Sequence, residues 1–164
     1  MPNAYTLASP GVTLTNHSPV TLLFLNPPAA PNLQLAMRRF WVGQINATAP
    51  AQQAVQVHTQ VTAFPTLTSQ TPAKTSIGNN ASILSGGTAG AAGTSGINAT
   101  VEGAGTKTII WPDAFNPANG WILVLTPQEV FEAQAGSASG MGLGLVTAPA
   151  TLTSWVFGAS WTED

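Results

Sequence analysis

Few residues of this chain can do acid–base or nucleophilic chemistry, and their spacing limits what they could do. Two histidines are present. His17 stands in an Asn16-His17-Ser18-Pro19 turn, and His58 on the polar side of an alternating strand. A Ser-His-Asp triad would need one of them beside Asp113 or Asp164, and no nucleophile-elbow pattern supplies the serine. Glu129 and Glu132 are a carboxylate pair of the kind that performs glycoside hydrolysis. On a strand their spacing makes them face opposite sides, and on a helical turn they would share one solvated face. Asp113, Asn116 and Asn119 form a loose series of oxygen ligands. Calcium asks for about six to eight oxygens, several from carboxylates, and Asn and Asp in turns bond their own backbone instead. No catalytic residue, metal ligand or cofactor site is assigned.

The remaining candidates are binding residues. Arg38-Arg39 holds two of the four Lys and Arg residues. Neighbours on a strand face opposite sides, so one arginine turns inward toward a carboxylate such as Glu102 or Glu129. The other is free to anchor an interface, a role in which arginine is enriched; Arg38 is taken as the contact residue. Gln56, His58 and Gln60 lie on the polar face of Val55–Ala63, expected to meet water or a partner. Asn116, Asn119 and Trp121 could orient and stack a sugar, as sandwich lectins do. Against a lectin, Trp155, Phe157 and Trp161 share one strand parity, and an aromatic stripe of that kind is core.

Composition sets the frame for these residues. A chain of 164 residues is expected to form one domain, 1–164, with a sizeable core. Only 6% of residues are charged, against about 25% in an ordinary domain. The 44% hydrophobic content argues against disorder. A formal charge of −2 does not suit a face that tracks phosphates, so no nucleic-acid partner is expected. A surface this poor in charge is poorly soluble alone, which points to cover by partner subunits. There is no cysteine, so disulfides and thiolate metal sites are excluded. Met1–Tyr5 lacks the pattern of a secretory signal. Val20–Leu25 is too short to cross a bilayer, and no membrane partner is expected.

The elements that must position these residues read as short strands. Gly11–Asn16 alternates. Val20–Leu25 is apolar on both faces and therefore central. Leu33–Ile45 is long, and Val55–Ala63 alternates most cleanly. Residues 1–10 read as an N-terminal arm and 65–96 as a long flexible loop, Gly-rich from Ser85 to Gly96. Ile97–Glu102 and Thr106–Trp111 resemble a hairpin around Gly103-Ala104-Gly105. Trp121–Leu125, Glu129–Ala133, Met141–Val146 and Trp155–Trp161 follow as four more runs; Gln128–Ala135 could instead be a helical turn. The sum is about eight to ten strands with sandwich spacing. The expected fold is all-β, an antiparallel β-sandwich.

Three stretches carry a resemblance. They are Glu129–Ala133, Leu143-Gly144-Leu145-Val146-Thr147-Ala148-Pro149-Ala150, and the closing Trp155–Glu163. Together they resemble the C-terminal half of small jelly-roll capsid decoration, or cement, proteins of tailed bacteriophages. The N-terminal half is similar in layout, with a Gly-Val-Thr-Leu strand, a Val-Thr-Leu-Leu strand and a long strand bearing arginine and tryptophan. The chain departs from that pattern in its few charges and in the Gly-Ala-Thr stretch near 85–96. The resemblance implies a jelly roll and a non-enzymatic viral structural protein of the virion surface, assembled in the host cytoplasm. It implies the major capsid protein as partner, cemented subunit to subunit, and a homo-oligomer, by analogy a trimer. The alternative is a phage tail, collar or fibre component, or a glycan-binding jelly-roll module.

Overall fold

A computed structural model describes residues 3–29, 34–47, 51–134 and 139–163. Every regular element among them is a strand: β1 (Asn3–Ala8), β2 (Val20–Asn26), β3 (Gln34–Gln44), β4 (Gln53–Val61), β5 (Thr66–Ser69), β6 (Ala73–Lys74), β7 (Ser85–Gly86), β8 (Thr94–Val101), β9 (Thr106–Phe115), β10 (Trp121–Val124), β11 (Glu132–Gln134), β12 (Ser139–Leu145) and β13 (Trp155–Glu163). They form two sheets. One runs β10-β3-β13-β1-β6, with β11 also on β3; the other runs β5-β8-β2-β12-β4-β9, with β7 on β8. Pairing is antiparallel except between β7 and β8. The strands β10-β3-β13-β1 opposite β9-β4-β12-β2 have jelly-roll order. The expected all-β sandwich is therefore the fold, with thirteen strands where eight to ten were read.

The core lies between the sheets. Trp155, Phe157, Ala159 and Trp161 of β13 are buried there as the parity of that run predicts, with Tyr5, Leu7, Phe40, Val57 and Leu143 around them. All of β2 is buried, so its reading as a central strand holds.

Five expectations are corrected. The N-terminal arm, residues 1–10, is a strand from Asn3 onward: β1 pairs with β13 and β6 and buries Tyr5 and Leu7. The apolar alternation at positions 5 and 7 was overlooked beside the proline-bounded ends. Gly11–Asn16 makes only a bridge, Val12 to Trp155, and is pinned through Asn98, which accepts from Thr15 N at 3.1 Å and donates to Thr13 O at 3.0 Å. Ile97–Glu102 and Thr106–Trp111 are not a hairpin, because β8 pairs with β2 and β9 with β4. Glu129 lies in a turn, its N–H on Thr126 O, and only Glu132–Gln134 is strand. Residues 65–96 are not one long loop but hold β5, β6, β7 and the start of β8. Leu33 at the start of the third predicted strand, Ala135 at the end of the alternative helical turn, and Asp164 lie outside the described residues.

The last correction explains the fold's extra strands. Val61 and Thr106 face each other at the tip of the β4–β9 hairpin. Residues 62–105 are an excursion from that tip. It leaves along 62–65 and returns along 102–105, and its two legs lie against each other: Gly105 N–H donates to Ala63 O at 3.2 Å. A Cβ at Gly103 or Gly105 would collide with the backbone carbonyls of Ala63 and Thr62, so only glycine allows this approach. Beyond the legs the excursion adds β8 to the free edge of β2 and β6 to the free edge of β1. Glu163 at the end of β13 fastens it there. Its carboxylate accepts from Ser82 Oγ at 2.5 Å, Ile83 N at 2.9 Å and Trp161 Nε1 at 3.0 Å. Glu163→Ala removes the acceptor from the buried Trp161 indole and from the part-buried Ser82 and Ile83 donors. It should lower unfolding stability by ~2 kcal/mol in urea denaturation, hydrogen bonds to a charged acceptor being worth about 1.5–3 kcal/mol.

Candidate functional site

The polar side of β4 is where sequence reasoning placed an interface, and it is buried. Gln56 is 6% exposed, His58 and Gln60 0%. The alternation was read correctly as two different faces. It could not show that the second face would be roofed by the legs of the excursion. Gln60 Nε2 donates to Ala63 O at 2.9 Å and to Gly103 O at 3.4 Å, joining β4 to both legs. Glu102 binds the second leg down from the other side. Its carboxylate accepts from Thr21 N at 2.5 Å and Thr21 Oγ1 at 2.6 Å and pairs with Lys107 Nζ at 2.7 Å. Phe24, Leu67 and Ala99 form a small second core under this roof, with Phe64 packed on it. Gln56, His58 and Gln60 are thus buried within the chain itself, Gln60 against the legs, and are not exposed to a partner.

The arginine pair is also rearranged. The register of β3 on β13 shifts between Ser160 and Trp161, where Arg39 faces Ser160 and Met37 faces Trp161. Arg38 is the extra residue of this bulge. It is half-buried and donates to Thr162 Oγ1 at 3.2 Å, whereas Arg39 is exposed. Of the pair, Arg39 is the one that the fold leaves exposed, and Arg38, taken from the sequence as the contact residue, is half-buried. A bulge reverses which residues face inward, and nothing in the local pattern marks it. Glu102, offered as a partner for the inward arginine, serves Lys107 instead.

Asn116, Asn119 and Trp121 come near one another in the link between β9 and β10, with separate tasks. Asn116 Oδ1 accepts from Ala118 N at 2.9 Å, a turn contact. Trp121 Nε1 donates to Asp113 Oδ2 at 2.9 Å. Asp113 belongs to one sheet and Trp121 to the other, so this bond ties the sheets along one flank. The rings of Trp111 and Phe131, 6.3 Å apart, close the same flank. Asn119 and Trp121 do line a shallow depression with Trp41, Gly43, Ile122 and Val156. Among the described residues the histidines and carboxylates are spread over separate places. His17 Nε2 lies 2.7 Å from Thr100 O, His58 is fully buried, and Glu129 accepts from Thr126 Oγ1.

The most distinctive open surface is the outer face of the β10-β3-β13-β1 sheet. Cross-strand register sets Ile122, Trp41, Gly158 and Ala8 in one row, and Val124, Arg39, Ser160 and Thr6 in the next. Ile122 and Val124 are 60% and 61% exposed. The Trp41 ring packs against Gly158, where any Cβ would strike it. Gly158 and Ala8 follow it on one side and Ile122 on the other, so the face carries one tryptophan, one arginine and two exposed aliphatic residues. By alternation Arg39 and Trp41 share a side with the buried Leu35 and Met37, and the bulge at Arg38 turns the pair to the outer face instead.

Compared with protein-family models, with curated protein sequences and with solved structures, the chain gives no match.

Asp113 carries a checkable consequence of the flank. The Trp121 hydrogen bond first, then that of Ala114 N–H, holds its carboxyl below the usual carboxylate range. A depressed carboxylate stabilises the fold above its ordinary pKa, and the contribution is lost as pH falls through the lowered value. Trp121→Phe keeps the ring and removes the donor. The Asp113 titration followed by NMR should move up toward the ordinary range.

Proposed function

We propose that this protein is a non-enzymatic structural module that binds the outside of a tailed-phage capsid and cements neighbouring major capsid subunits. The observation that supports this reading best is the outer sheet face that carries Trp41, Arg39, Ile122 and Val124. Cementing two subunits requires a broad complementary surface and no reactive group. Tryptophan and arginine are the residues that concentrate binding energy in such contacts. The scarcity of charge fits the same role, since apolar and neutral hydrogen-bonded contacts resist salt that would screen ion pairs. The jelly-roll order of the strands agrees with the family that the sequence resembles. Self-association into a homo-oligomer, a trimer at local threefold positions, belongs to the same reading.

A second reading is a glycan-binding module, favoured by the depression that brings Asn119 and Trp121 beside Trp41. A tail, collar or fibre location is the third. Copy number separates location: a cement protein on a symmetric shell is present at on the order of hundreds of copies per particle, a tail component at far fewer. Quantitative gels of the purified virion measure this. Removing a tryptophan–arginine hot spot costs about 2 kcal/mol or more, or roughly 30-fold in affinity. Combined Trp41→Ala and Arg39→Ala should weaken binding to stripped capsids by at least that factor. Unchanged capsid binding together with lost binding on a glycan array would favour the second reading.

A further inference from the structure

His58 is a fully buried histidine. It is 0% exposed, and neither ring nitrogen has a hydrogen-bond partner among the described residues. The ring lies over β12, where Gly142 leaves room for it: a Cβ there would come within 2.8 Å of its Cε1 and Nε2. Glu102, at the start of the 102–105 leg, acts electrostatically on the ring, and Gln60, two residues further along the same face of β4, joins the strand to both legs, 62–65 and 102–105. A buried polar group without a partner costs free energy, so the site serves something other than maximal stability.

We propose that His58 makes the paired legs an acid-sensitive latch: when it takes up a proton, segments 62–65 and 102–105 lift from the sheet and uncover the second core. Protonation gives the ring a charge and a second donor while both ring nitrogens are buried and unpaired among the described residues. Two charged groups act on it. The Lys107 ammonium of β9 repels the cation. Glu102 attracts it, but that carboxylate is already occupied by both Thr21 donors and by Lys107. The other ring neighbours, Gly142 and Gly144 of β12, are not titratable. Burial first and Lys107 second lower the imidazole to about 4, with Glu102 opposing. Once the legs open, water solvates the ring and its pKa returns toward the ordinary value of about 6.5.

The sign follows from proton counting. Above about pH 6.5 the ring is neutral whether the latch is closed or open, and pH has no effect through it. Between there and about 4 the open form binds a proton that the closed form refuses, so the closed form is progressively lost. Opening exposes Phe24, Phe64, Leu67 and Ala99 while the main core between the sheets stays buried. The legs are the part that can move alone, because they are the entry and exit of an excursion and belong to neither sheet.

Hydrogen exchange read by mass spectrometry on peptides covering 62–65 and 102–105, corrected for intrinsic rates, tests this on the whole chain. Between pH 7.5 and 4.5 leg opening should rise roughly 50-fold, with β13 peptides unchanged. His58→Gln, which cannot titrate, should cut that rise below about threefold, whereas Glu102→Gln should raise opening at neutral pH and keep the acid response. A flat wild-type profile, or a His58→Gln protein as acid-sensitive as wild type, overturns the proposal. So does an acid response lost in Glu102→Gln alone. Should His58→Gln fail to fold, NMR titration of His58 in the wild-type protein decides. A midpoint well below 6.5 that moves with leg exchange supports the latch, and a midpoint near 6.5 with closed legs overturns it.

Discussion

The rest of the structure depends on one constraint, the covering of β2. Its sequence, Val20-Thr21-Leu22-Leu23-Phe24-Leu25-Asn26, is apolar on both faces, yet in the eight-strand jelly roll it is the outermost strand of its sheet. A two-sided apolar edge strand presents unpaired backbone groups and greasy side chains together, the combination that folded proteins avoid leaving open. Residues 62–105 answer both demands. β8 pairs with the free edge, and the legs with Phe64 and Leu67 cover the outward side. The same excursion reaches round to pair β6 with β1, so one insertion closes one flank of both sheets.

The scarce charges have internal work. Glu102 ties a leg to β2 and Lys107, Glu163 ties the excursion to β13, and Asp113 ties β9 to Trp121 across the sheets. Each joins segments that the ladders leave separate. These carboxylates lie away from the outer face around Trp41, where Arg39 stands among apolar and neutral residues. A surface of this kind gains by being covered, and this links the composition to the proposed role on a shell. Glu102, Asp113 and Glu163 are each engaged by backbone or side-chain donors of the fold.

The sequence alone determined the all-β sandwich, the central place of β2, the buried aromatic stripe of β13 and the two-faced character of β4. These follow from local rules, alternation and apolar runs between turn residues, and each element carries its own signal. Tertiary structure decided the rest. A bulge at Arg38 chose Arg39 for the surface, because one inserted residue flips a strand's parity without leaving a mark on composition. The fate of Gln56, His58 and Gln60 rested on Gly103 and Gly105 coming close to Ala63 and Thr62, a contact between segments some forty positions apart. Their polarity announced a face unlike the core. Only the folded excursion settled that this face would meet the protein itself, since burial belongs to whatever packs above a strand and not to the strand.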